Sequence, residues 1–209
     1  MEDENRFRTW YSDRGRALVR RVLAAIGADR WLSPNLVTLS GTALNGVAAV
    51  LVVQESYLAA SLVFVAGSAL DAVDGAIAKL QDRVTAWGGF LDSTMDRVSE
   101  GLVLTGLGLL FAAQGNTLAL AACFVALASS YLVSYTRARA EAAGAGAAVG
   151  LASRVERVLL IGLGMFVATW WEPALAWAIY VVALSASLTV LQRVLHVRRQ
   201  LLAASPDTP

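Results

Sequence analysis

Four aspartates interrupt two otherwise apolar stretches, Asp71 and Asp74 in one, Asp92 and Asp96 in the next. Residues three and four apart share one face of a helix. Asp71, Asp74, Gly75 and Ala78 therefore form one stripe, and Gly88, Asp92 and Asp96 a second. An ionisable side chain at the centre of a membrane helix costs roughly 2.5–3.5 kcal/mol on insertion scales, so four come to on the order of 10 kcal/mol. Hard divalent cations offset such a cost, because Mg2+ and Mn2+ prefer carboxylate oxygens. Two ions held together stabilise the attacking and leaving oxygens of a phosphoryl transfer. The small residues on both stripes leave room for a ligand between the helices.

The elements that carry these stripes follow from composition. Of 209 residues, 57 % are hydrophobic and 16 % charged, against about 25 % charged in soluble domains. Mean hydropathy is +0.59. Net charge is +1 and there is one cysteine, which excludes a disordered chain, a nucleic-acid-binding tail and a disulfide scaffold. Crossing a bilayer takes about 20 mostly apolar residues. Six stretches qualify: 36–54, 57–79, 87–113, 117–139, 153–170 and 174–196. The prediction is an all-α integral membrane protein with six transmembrane helices. A cleaved leader is not expected, since the chain opens Met1-Glu2-Asp3 and its first apolar run starts near Leu36.

Cations set the orientation. Seven of the 17 lie before Asn35, and the rest are Lys79, Arg83, Arg97, Arg137, Arg139, Arg154, Arg157, Arg193, Arg198 and Arg199. With six spans, all fall on one side or in the adjoining helix ends. The other connections, Gln54–Ser56, Gln114–Asn116 and Trp171–Pro173, hold none. Cationic loops stay in the cytoplasm, so both termini and the active site are expected on the cytoplasmic side of the cell membrane. Residues 5–27 set apolar positions against six arginines at helical spacing, the pattern of an amphipathic helix lying in the headgroup layer. The expected domains are 1–35 (surface helix and lead-in), 36–196 (transmembrane catalytic domain) and 197–209 (cytoplasmic tail).

Depth sharpens the chemistry. Asp74 and Asp71 lie five and eight residues inside Lys79, Asp92 and Asp96 five and nine inside Trp87. At about 1.5 Å per residue both pairs sit about 8–14 Å below one face. A divalent-cation transporter is the rival from another class. It needs polar residues on both sides of the bilayer, whereas Leu102–Ala113 and Leu36–Val53 are nearly apolar.

Together the residues read Asp71-x2-Asp74-Gly75-x2-Ala78-Lys79-x8-Gly88-x3-Asp92-x3-Asp96. This resembles the signature of the CDP-alcohol phosphotransferases, membrane enzymes that move a phosphatidyl group from CDP-diacylglycerol or a related CDP-alcohol to an alcohol, releasing CMP. Seven of eight fixed positions agree over 26 residues. The eighth is Lys79, where the family usually has arginine; charge is kept and the bidentate fork is lost. The resemblance implies that Asp71, Asp74, Asp92 and Asp96 bind two Mg2+ or Mn2+ ions, with Asp96 also the general base on the acceptor hydroxyl. It implies a CDP-lipid seat of Pro34, Asn35, Thr38, Gly75, Ala78, Lys79 and Gly88, and a homodimer.

A second cluster, Ser134, Arg137, Arg154 and Arg157, suits an anionic acceptor, because arginine binds phosphate through a planar fork. The runs around it are most similar to the branch of the family that uses inositol 1-phosphate. Glycerol 3-phosphate, also anionic, is the alternative acceptor. Among other residues, Glu100 would support Asp96 or pair with Arg97, and His196 reads as a surface residue. Cys123 reads as packing. The Gly106, Gly108, Gly162 and Gly164 positions suit close helix contacts.

Overall fold

The structure is a computed structural model that describes residues 33–81 and 84–204, with the side chains of Asp71, Ala72, Leu80 and Ala204 outside the description. The surface helix expected over 5–27, and Arg83, lie outside the described residues.

Among the described residues all regular structure is helical. The six helices are α1 (Pro34–Val53), α2 (Tyr57–Leu80), α3 (Ala86–Ala113), α4 (Thr117–Ala142), α5 (Arg154–Ala168) and α6 (Pro173–Ala204). Each of the six expected stretches is met by one helix, and the breakers fall where the turns are. Glu55 (φ 59°) and Gly115 (φ 69°) take left-handed conformations in the two tightest links. Asn116 caps α4, its side chain accepting from the Ala119 N–H at 3.0 Å. Pro173 opens α6, where its missing N–H costs nothing.

Four helices, α1, α2, α4 and α6, are long and apolar enough to cross a membrane. The other two fall short for visible reasons. In α3 the uninterrupted apolar run begins only after Asp92, Asp96, Arg97 and Glu100. Helix α5 has 15 residues, about 22 Å at the usual rise. Large apolar side chains point outward on every long helix, Leu62, Leu109, Phe124 and Leu184 among them. Water would not tolerate such a surface on a monomer; a membrane does.

The described residues cluster into two compact units. One contains residues up to Gly46 and Ala66–Ser99, the other Val47–Val65 and residues from Glu100 onward. In the first, Val37, Ala76 and Ile77 form a small core, with Leu70 and Val73 against it. Helices α1 and α2 come so close there that a Cβ on Gly67 would lie 2.9 Å from the Gly41 carbonyl oxygen.

The second unit holds the larger core, built on Val52, Phe64, Leu104, Leu107, Leu110, Met165, Leu175 and Ile179. Helix α6 packs against both α4 and α5. The glycines that the sequence marks for close contacts are used within the chain. A Cβ on Gly106 would sit 2.8 Å from the Ala49 carbonyl oxygen, and one on Gly164 would sit 2.5 Å from the Ala178 Cβ. Cys123 is buried in the same core. Overpacking such a contact costs about 1–3 kcal/mol. Gly106→Ala is therefore expected to lower the apparent Tm in detergent by several degrees, as thermal unfolding of the purified protein will show.

Candidate active site

The first unit contains a cavity of about 320 Å³. Pro34, Asn35 and Thr38 of α1, Asp74, Gly75, Ala78 and Lys79 of α2, and Gly88 and Asp92 of α3 all line it. The starts of α1 and α3 and the end of α2 thus meet around one space. Helix α1 starts there because Pro34 presets the first helical φ and the Ser33 carbonyl accepts from the N–H groups of Leu36 and Val37 at 3.0 and 3.2 Å.

Thr38, one turn in, is buried, as is Asp74. Its hydroxyl donates to Asp74 Oδ2 at 2.5 Å. A carboxylate removed from water needs such donors, and this one aims Asp74 at the cavity. One turn further along α1, Thr42 accepts from the Ser99 hydroxyl at 3.2 Å. Two threonines on one face of α1 therefore tie it to α2 and α3, the two helices that carry the aspartates.

The glycines keep the space open. A Cβ on Gly75 would meet nothing within 4 Å, so a side chain there would project into the cavity. Gly88 donates its N–H to Thr85 Oγ1 at 3.0 Å, which caps the start of α3. That helix begins at the cavity wall and presents its positive dipole end to whatever binds. Thr85, Val84 and Gly89 also line the cavity and were not read from the sequence. A threonine three residues before a helical N–H was the available signal.

Asp96 follows Asp92 by one turn and does not line the cavity. It faces Arg97, whose guanidinium lies 3.4 Å from Oδ2 and also donates to the Ser93 carbonyl at 2.5 Å. Among the described residues no three His, Cys, Asp or Glu side chains form a metal-binding group, and the side chain of Asp71 is outside the description. The donors in the cavity wall, Asp74 and Asp92, are hard oxygens of the kind that suit Mg2+ or Mn2+ rather than a soft metal. The open face of Gly75 leaves room beside them.

In the second unit the residues read as acceptor ligands occupy the C-terminal part of α4 and the N-terminus of α5. Ser134 donates to the Ser130 carbonyl at 3.4 Å. Arg137 is exposed and pairs with Glu141 at 2.9 Å, a contact worth only about 0.3–0.5 kcal/mol. Ser153 stands at the N-cap of α5 in an extended conformation, its hydroxyl bonded to Glu156, and Arg154 opens the helix.

Arg157 is the exception among these, being 2 % exposed. Its Nε and Nη2 grip the two carboxylate oxygens of Glu100 at 2.6 and 3.0 Å, and Nη1 donates to the Ala152 carbonyl at 3.2 Å. Glu100 thus pairs with Arg157 through the fork that arginine offers carboxylates. A second buried guanidinium, Arg193, was read from the sequence only as a cytoplasmic-side charge. It donates to the carbonyls of Val149, at 2.9 Å, and Val133. A lone cation inside the apolar run of α6 was the signal for it.

The profile of the CDP-alcohol phosphatidyltransferases matches residues 31–200. The chain belongs to the CDP-alcohol phosphatidyltransferase family. It is 35 % identical over 184 residues to the archaetidylinositol phosphate synthase of Pyrococcus horikoshii, covering 88 % of this chain and 90 % of that one. It is 37 % identical over 206 residues to the phosphatidylinositol phosphate synthase of Streptomyces avermitilis, covering 92 % and 84 %. The solved phosphatidylinositol phosphate synthase of Mycobacterium tuberculosis is similar in fold at 30 % identity. Its form with CDP-DAG bound superposes with a TM-score of 0.77, over 88 % of this chain and 94 % of that one. Its complex with manganese and citrate gives 0.78, over 93 % of each.

As a CDP-alcohol phosphatidyltransferase the chain is a membrane transferase of phospholipid biosynthesis. Were Asp74 to ligate a metal, it would depend on the Thr38 hydroxyl that orients it, since losing the partner of a metal-ligating group commonly costs about 10–100-fold in metal affinity or activity. Thr38→Val keeps the side chain's shape and removes the donor. Its rate of CMP release should fall by about that factor, with half-maximal activity at higher Mg2+. Thr38→Ser should stay near the parent in the same titration.

Proposed function

We propose that the chain is a phosphatidylinositol-phosphate synthase. It transfers the phosphatidyl group of CDP-diacylglycerol to a hydroxyl of inositol 1-phosphate and releases CMP. The observation that carries this reading is the cavity in which Asp74, Asp92, Gly75, Gly88 and the Pro34, Asn35 and Thr38 of α1 come together. The names of the relatives, archaetidylinositol phosphate synthase at 35 % identity and phosphatidylinositol phosphate synthase at 37 %, support the acceptor.

Asp71, Asp74, Asp92 and Asp96 would hold two Mg2+ or Mn2+ ions, which neutralise charge on a diphosphate when bound. Pro34, Asn35, Thr38, Gly75, Ala78, Lys79 and Gly88 seat the CDP-lipid. Gly75 and Gly88 let the cytidine diphosphate pack against the helix backbone, and Lys79 serves as a point charge for the diphosphate. Asp96 takes the proton from the acceptor hydroxyl. The hydroxyl oxygen bonds to the phosphorus next to the diacylglycerol, the bond from that phosphorus to the bridging oxygen breaks, and CMP departs with the electron pair.

Ser134, Arg137, Arg154 and Arg157 hold the acceptor's phosphate. Arg157 has five N–H donors, of which Glu100 and Ala152 occupy three, so one remains on each terminal nitrogen. The enzyme works from the cytoplasmic side of the cell membrane, with six spans, the surface helix over 5–27 and a homodimeric assembly.

Purified protein supplied with CDP-diacylglycerol and Mg2+ should release CMP with inositol 1-phosphate well above the rate with glycerol 3-phosphate or free inositol. Asp96→Asn should lose about 10²–10⁴-fold in kcat while still folding. A glycerol 3-phosphate preference would reassign the acceptor, and undiminished turnover in the variant would remove Asp96 as the base.

A further inference from the structure

Between α4 and α5 the chain runs from Ala143 to Ser153 without regular structure. Its turns rest on glycine: Gly144 has φ 74° and Gly150 φ 138°. Thr189, Arg193, His196 and Gln200 succeed one another by four, three and four residues, so they lie along one face of α6. Through Thr189, Arg193 and Gln200 that face binds the loop at three separate points.

At the outer end the Gln200 carboxamide pairs with the Gly146 backbone in both senses. Its Oε1 accepts from the Gly146 N–H at 2.9 Å, and its Nε2 donates to the Gly146 carbonyl at 3.0 Å. The second Nε2 proton points at His196 Nε2, 2.6 Å away. Turning the amide over would set donor against donor at Gly146. In the middle, Arg193 donates to the Val149 carbonyl.

At the inner end Thr189 is fully buried, and the residue it holds, Ala152, is 2 % exposed. The Thr189 hydroxyl donates to the Ser185 carbonyl at 2.8 Å and accepts from the Ala152 N–H at 3.0 Å. Its methyl fills the place that a Cβ on Gly150 would need. Ala152 immediately precedes Ser153 and Arg154.

We propose that Thr189 and Gln200 are positioning residues for the acceptor phosphate. By fixing both ends of the 143–153 loop they fix where Ser153 ends it and where Arg154 begins α5. They touch no reacting atom. The inference rests on the reading that Arg154 binds the acceptor.

The test is steady-state kinetics of the full chain with CDP-diacylglycerol and inositol 1-phosphate as the varied substrates. Thr189→Val preserves shape and strands a buried N–H, and Gln200→Ala removes the outer pairing. Each should raise the KM for inositol 1-phosphate, Thr189→Val by about tenfold, with kcat and the KM for CDP-diacylglycerol unchanged. Thr189→Ser should restore the parent value. A general packing role would instead lower Tm and kcat and leave the two KM values in step, and that result overturns the proposal. Arg154→Ala separates the two failures. If it raises the acceptor KM and neither Thr189→Val nor Gln200→Ala does, the positioning role is wrong. If it leaves that KM unchanged, the acceptor reading fails and the positioning role with it. Should Thr189→Val not fold, Gln200→Ala decides alone.

Discussion

A buried carboxylate is unstable unless something donates to it, and the Thr38–Asp74 hydrogen bond answers that need at the wall of the cavity. Much of the first unit follows from it. Pro34 starts α1 so that its first full turn delivers Thr38, and close packing at Gly67 brings α2 near enough for Asp74 to be reached. Thr42 repeats the device with Ser99, holding the part of α3 that carries Asp92 and Asp96. Hydroxyls on one helix face thereby convert two helices into a fixed frame for acids that would otherwise repel.

The second unit solves a similar problem with the opposite charge. Two guanidiniums are buried, and each is tied to specific oxygens: Arg157 to Glu100 and Ala152, Arg193 to Val133 and Val149. A buried ion pair of this kind adds little net stability, yet removing one partner is strongly destabilising. Its service is definition. It holds the 143–153 segment and the start of α5 in one arrangement, where glycine-rich chain would otherwise sample many.

The sequence made the helices legible because hydrophobic length, turn residues and caps all point to the same boundaries. The cavity residues were legible too, for a different reason: acids at helical spacing in apolar stretches are too costly to keep unless a bound cation or ligand offsets them. Partner choice was not. Glu100 lies three residues from Arg97 in sequence, yet pairs with Arg157, 57 residues away, because pairing across helices depends on how they pack. Thr85 and Arg193 escaped for related reasons. A capping threonine looks like any loop residue, and a cation counted toward topology is easily left out of a site.

Helix α5 is too short for an ordinary bilayer core of about 30 Å. Were it to cross one, the lipid would have to give way: headgroups and water would descend toward its arginine-bearing end, or the bilayer would thin around it. Either response lowers the aqueous surface locally. Arg154, at its start, would then keep its contact with water, and the dimple that allows it is written in the 15 residues from Arg154 to Ala168.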